Sequence, residues 1–126
     1  MESILVALKA ELLSHLEKEE SILFPLMQSI YDAYDKKTPM TVVAHCGSVN
    51  NPIRRMEMEH DEAGQALREL RQLSKDFQPP SDACNSYRVL LVGLQALEQD
   101  LHRHIHLENA VLHPLTSRME QEVSQK

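Results

Sequence analysis

Two stretches of this sequence repeat one chemical pattern, and each sets ionisable groups in the middle of an apolar helical stripe. Residues 15 to 26 read HLEKEESILFPL and residues 104 to 115 read HIHLENAVLHPL, so both fit H-x3-E-x3-L-x-P-L. The first lies on a stripe of Leu5, Leu8, Leu12, His15, Glu19, Ile22 and Leu26. The second lies on a stripe of Leu90, Leu94, Leu97, Leu101, His104, Glu108, Leu112 and Leu115. Both alternate in steps of three and four, the mark of one helix face. A third stripe, Ile53, Met56, His60, Ala63, Leu67 and Leu70, carries one more histidine. His15, Glu19, His60, His104 and Glu108 are therefore predicted to point into a common core. A buried charge without a partner is costly, so such groups need one another or a bound ion.

The punctuation between the stripes sets the fold class. Gly and Pro divide the chain into three helical blocks, about 2–34, 52–77 and 81–119, with no period-2 run to suggest strands. Asn51 is the expected N-cap of the second helix, with Pro52 in its first turn, and Ser81 the expected cap of the third. A short helix is possible within the first loop, around Met40 to His45. Pro25 and Pro114 sit inside helical patterns and should end or bend their helices; bends there would shape access to the site. The 126 residues suit one all-α domain, and 42% hydrophobic with 25% charged residues is ordinary globular usage.

A His and a Glu four residues apart share a helix face and can reach one metal or bridge two. The repeat of that pair suggests pseudo-two-fold symmetry about a dinuclear centre, as in bundles of the di-iron carboxylate type. Imidazole and carboxylate without thiolate suit iron, manganese or zinc, and iron is the favoured reading. His102, His106 and His113 fall off the stripe phase and are expected at the surface. So are Glu20, Glu59, Asp61 and Glu62, although one of the last three can serve as an acceptor for an imidazole N–H. His45 and Cys46, in the loop, form a secondary candidate for metal binding or oxidation.

The net charge of −6 argues against nucleic acid as a partner. Arg54, Arg55, Arg68 and Arg71 read as a solvated helix face. Cys46 and Cys84 show neither CxxC spacing nor disulfide density. With no signal peptide pattern after Met1 and no apolar run of membrane-spanning length, a reducing, cytoplasmic setting is expected.

The segments HLEKEESILFPLM, NPIRRMEMEHDEAG and HRHIHLENAVLHPL resemble the hemerythrin-like (HHE cation-binding) domain of the Repair of Iron Centres family, over nearly the whole chain. The resemblance implies an up-and-down helical bundle around a non-haem di-iron centre. Carried over by motif, His15, His60 and His104 match terminal ligands, and Glu19 and Glu108 match bridging carboxylates. It also implies action on iron–sulfur proteins damaged by nitric oxide or peroxide, with iron donation as the expected means, as a metal-binding repair protein rather than a turnover enzyme. Two departures matter. The family usually carries a preceding helix with a further His ligand, and often a cysteine-bearing N-terminal domain, and this chain shows neither. Three helices leave one side of the core uncovered, so self-association, most simply a homodimer, is expected to supply the fourth side. His45, or a residue of another copy, is the candidate for the sixth ligand. The competing readings are an O2- or NO-binding carrier or sensor, an NO- or peroxide-reducing di-iron protein, and a metal-free helical interaction module.

Overall fold

Pro25 and Pro114 cannot donate a backbone hydrogen bond, and their rings crowd the carbonyl four residues back. The chain accommodates both in the same way. In the computed structural model, which describes residues 2–37 and 48–124, a wide π-helical turn precedes each proline, over Glu19–Leu23 and Glu108–Leu112. The Phe24 N–H donates to the Glu19 carbonyl, and the His113 N–H to the Glu108 carbonyl. Each is an i to i+5 bond that takes one extra residue into the turn. The helices therefore neither end nor break at the prolines.

The described elements are α1 (Glu2–Lys18), running through its π turn into α2 (Phe24–Asp35), then α3 (Asn50–Leu73), then α4 (Asn85–Leu107), running through its own π turn into α5 (His113–Ser124). No strand occurs among the described residues. This is the all-helical bundle of three long rods that the periodicity predicts. The short helix expected near Met40 to His45, and the His45–Cys46 pair, lie outside the described residues.

Helix ends differ from expectation. α3 starts one residue before Asn51, behind Val49, whose backbone N–H donates to Glu120 Oε2 at 2.7 Å. Ser48 Oγ accepts from the Asn50 N–H at 3.1 Å. The third rod starts at Asn85, with Cys84 in the cap position and no side-chain cap; Ser81 lies in the preceding turn. α3 stops at Leu73, short of Phe77, because Lys75, Asp76 and Phe77 all adopt left-handed backbone (φ 54, 62 and 59°). That conformation is unfavourable for residues with a Cβ. The turn is held by Ser74 Oγ, which accepts from the Phe77 N–H at 3.0 Å, and it buries the Phe77 ring.

α1 packs on α3, α3 on α4, and α2 on α5. The buried apolar residues form two separate clusters. One joins Leu8, Ala63, Leu67, Leu70, Phe77, Leu91 and Leu94; the other joins Leu23, Met27, Ile30, Val49, Ile53, Met56 and Met119. The histidines and glutamates of the repeat lie between them as a polar waist. Leu70 is fully buried in the first cluster. Leu70→Ala should cost about 2–5 kcal/mol, read as a lowered urea midpoint at unchanged slope.

Arg71 was expected on a solvated face. Instead it forms a two-pronged ion pair with the buried carboxylate of Glu98 and lies over the Phe77 ring, 5.1 Å from its centre. Arg71 holds the Glu98 carboxyl below the usual carboxylate range.

Between α1 and α4 a groove of about 540 Å³ stays open, lined by Leu12, Leu16, Leu97, Leu101 and Ile105 and floored by His15, His60 and His104. Val6, Leu13, Val89 and Val92 also remain exposed on these two helices. The described residues thus leave an apolar face uncovered, as three rods should.

Candidate metal centre

The structure brings together all five residues singled out by stripe phase. One donor atom from each of His15, Glu19, His60, His104 and Glu108 lies within 4.8 Å of the other four, an arrangement able to hold a metal ion. His15 and Glu19 come from the end of α1 and the start of its π turn, His60 from the middle of α3, and His104 and Glu108 from the corresponding junction of α4. Four are buried; His104 is about one-third exposed, at the floor of the groove.

Distances within the cluster are those of groups facing a common point. His15 Nε2 is 2.5 Å from Glu19 Oε1, and His104 Nε2 is 3.3 Å from the same oxygen. His104 Nε2 is 2.8 Å from Glu108 Oε1, while His60 Nε2 is 3.1 Å from Glu108 Oε2. The Nε2 atoms of His15 and His60 are 3.1 Å apart. Despite these approaches, neither oxygen of Glu108 makes a hydrogen bond of proper geometry among the described residues. A buried carboxylate with both oxygens unsatisfied is costly, and a cation in the waist would satisfy it.

The other ring nitrogens are held from behind. His15 Nδ1 donates to Glu59 Oε1 at 3.0 Å, and Glu59 is itself fixed by Lys18 Nζ at 2.8 Å and Arg55 Nε at 3.1 Å. His60 Nδ1 donates to Asn109 Oδ1 at 3.0 Å. An acceptor on Nδ1 fixes the tautomer and leaves the Nε2 lone pair aimed at the cluster, the usual outer support of a metal-bound imidazole. Glu59 thus serves a histidine on another helix rather than its neighbour His60 or the solvent.

Electrostatics agree. Burial should push both carboxyls up, yet His15 and His60 hold Glu19 well below the usual carboxylate range, and His113 and His60 hold Glu108 below it. Burial should lower the histidines, but Glu108 and Glu19 raise His60 to about 9, and Glu19 and Glu59 raise His15. The field that holds a proton on an imidazole here favours any cation at the same place.

Beyond the π turns, the assignments of a constant helical phase are corrected. Ile22 and Leu115 are exposed, and Leu23, Met27, Thr116 and Met119 take the core positions. Leu90 also faces outward, and Leu91 is buried. The largest correction concerns His113, expected at the surface. It is 2% exposed, and its Nε2 lies 3.6 Å from Glu108 Oε2. His102 and His106 are exposed, as expected. The visible hint of the shift is the proline placed six residues after each glutamate, at Pro25 and Pro114.

The profile of the Hemerythrin HHE cation binding domain matches residues 1–116. A probable iron-sulfur cluster repair protein of Haemophilus influenzae is 42% identical over 105 residues, 83% of this chain and 41% of that protein. The iron-sulfur cluster repair proteins YtfE of Yersinia pseudotuberculosis and Yersinia pestis are each 39% identical over 116 residues, 92% of this chain and 46% of theirs. The chain thus spans less than half the length of these relatives, all of which carry the repair name that the motifs led us to expect. With a buried His/Glu cluster at the waist of a helical bundle and a family match over most of its length, the chain belongs to the hemerythrin HHE cation-binding domain family.

Proposed function

We propose that this chain holds a dinuclear non-haem iron centre on His15, Glu19, His60, His104 and Glu108, and takes part in repairing iron–sulfur clusters damaged by nitrosative or oxidative stress. The observation that carries the metal reading is Glu108, buried with both oxygens unsatisfied and facing His104 on one side and His60 on the other. A carboxylate so placed suits a bridge between two ions. The names of the relatives carry the repair reading. Damaged iron–sulfur proteins are then the partners, and iron supplied from the centre is the means, with the chain acting as a donor rather than a turnover enzyme. Manganese or zinc can occupy the same ligands.

The acting unit is a single domain over residues 1–126, working in the cytoplasm. Among the described residues no helix is long and apolar enough to cross a membrane. The apolar groove between α1 and α4 supports self-association, a homodimer in the simplest case. Sedimentation equilibrium should give twice the chain mass at micromolar concentration; a monomer throughout would remove this part of the proposal.

Reconstitution tests the repair reading. Iron-loaded protein, mixed anaerobically with an iron–sulfur dehydratase inactivated by nitric oxide, should restore its activity while losing iron. Restoration at the same rate by free ferrous ion at equal concentration would sink it. A second reading, reversible O2 or NO binding, is favoured by the groove, which brings solvent to His104. A reversible spectral change with either gas, without iron release to a damaged client, would select it.

A further inference from the structure

The two halves of the internal repeat differ at one chemically important place. Where the first half has Phe24, the second has His113. Both follow the same π turn, so both are five residues past the glutamate of their pair. Phe24 is partly exposed, whereas the imidazole of His113 is buried.

We propose that His113 is a further metal ligand in this chain, completing the side of the centre formed by His60 and Glu108 Oε2. This rests on the metal reading above and adds to its ligand set. Four observations support it. First, His113 Nε2 is buried and has no hydrogen-bond partner among the described residues, the same state as the Glu108 oxygens it faces. Second, it lies 3.6 Å from Glu108 Oε2, which is itself 3.1 Å from His60 Nε2. Donors bound to one ion at about 2.0–2.2 Å stand roughly 3.0–3.6 Å apart, so each histidine is at a distance that fits an ion shared with Glu108 Oε2. Third, His113 Nδ1 donates to Glu57 Oε2 at 3.1 Å. That fixes the tautomer with the Nε2 lone pair free, as Glu59 does for His15 and Asn109 for His60. Fourth, the His113 and His60 rings are stacked, parallel to within 1° with centres 6.1 Å apart, so the two imidazoles are neighbours beside Glu108 Oε2.

The π turn is what makes this possible. In a regular helix a residue five past Glu108 is rotated about 140° from it; the wide turn returns it to the same side. Glu108 then presents Oε1 to His104 and Oε2 to His60 and His113. The second ion gains a protein ligand from within the described helices, with no contribution from another copy.

The test compares the whole chain with His113→Phe, which copies the other half of the repeat, and His113→Gln, which keeps a polar group of similar volume. Each is titrated anaerobically with ferrous ion, and with Co(II) to read the ligand field. Metal-free circular dichroism and melting report folding. The wild type should bind two ions per chain. Both variants should fold and bind one tightly, the second weakened at least a hundredfold, and X-ray absorption should show fewer imidazoles per metal. Glu57→Gln should weaken the same ion roughly tenfold to a hundredfold. Two ions with unchanged affinity and spectra in a folded His113 variant would overturn the proposal and leave the metal centre standing. A wild type that binds no metal would overturn both.

Discussion

Changing Glu19 and Glu108 together to leucine is expected to reduce bound iron from two per chain to none, and to remove the dependence of melting temperature on metal. A ligand at a thousand times its dissociation constant stabilises by about 4 kcal/mol. For a domain of this size each kcal/mol moves the midpoint roughly 3–5 °C. Chelating iron from the wild type should therefore lower its midpoint by roughly 10–20 °C, whereas the double variant should melt at one temperature with or without iron. Calorimetry with and without chelator reads both effects. Full iron content in the double variant would sink the ligand assignment.

Inserting one alanine after Ala110 should be the most damaging single change outside the apolar core. Ala110 is exposed and lies within the second π turn. The wide turn already holds its one extra residue, so an added one rotates everything after it by about 100°. His113, Thr116, Met119 and Val123 are all buried along α5, and all would turn outward together. So would Glu120, which accepts from Ser48 Oγ at 2.6 Å and from the Val49 N–H at 2.7 Å and so ties α5 to the start of α3. Burial of Met119 and Val123 alone is worth about 1.5–3 kcal/mol each, so a loss above ~4 kcal/mol is expected in urea unfolding. Ala110→Leu, at the same exposed position, should stay within about 0.5 kcal/mol of wild type. Equal effects of the insertion and the substitution would show that the wide turn does not set the phase of α5.

The same turn explains which parts of the molecule could be read from sequence. His15, Glu19, His60, His104 and Glu108 precede or open the wide turns or lie on a helix without one, so a constant 3.6-residue period places them correctly. Ile22, Leu115 and His113 come at or after a wide turn, and there the constant period fails. The prolines were the local sign, but a proline inside a helix is compatible with an end, a kink or a π turn, and only packing selects among them. The outer partners were less legible. Glu59 and Asn109 meet His15 and His60 across helices, 44 and 49 residues away in sequence, and no periodicity encodes which side chains meet. Arg71 and Glu98 are similar: each looks like a surface charge until α3 and α4 bring them together beside the Phe77 ring.

The polar waist has a mechanical consequence. The two apolar clusters share no residue, so little hydrophobic cohesion crosses from one end of the bundle to the other. What crosses is the run of the helices themselves and the groups around Glu19 and Glu108. An ion held there acts as a rivet, tying rods from three segments at the one level where oil-like packing is interrupted. Hydrogen exchange should register this as amides of both ends opening together when iron is bound, and as two separately opening halves once it is withdrawn.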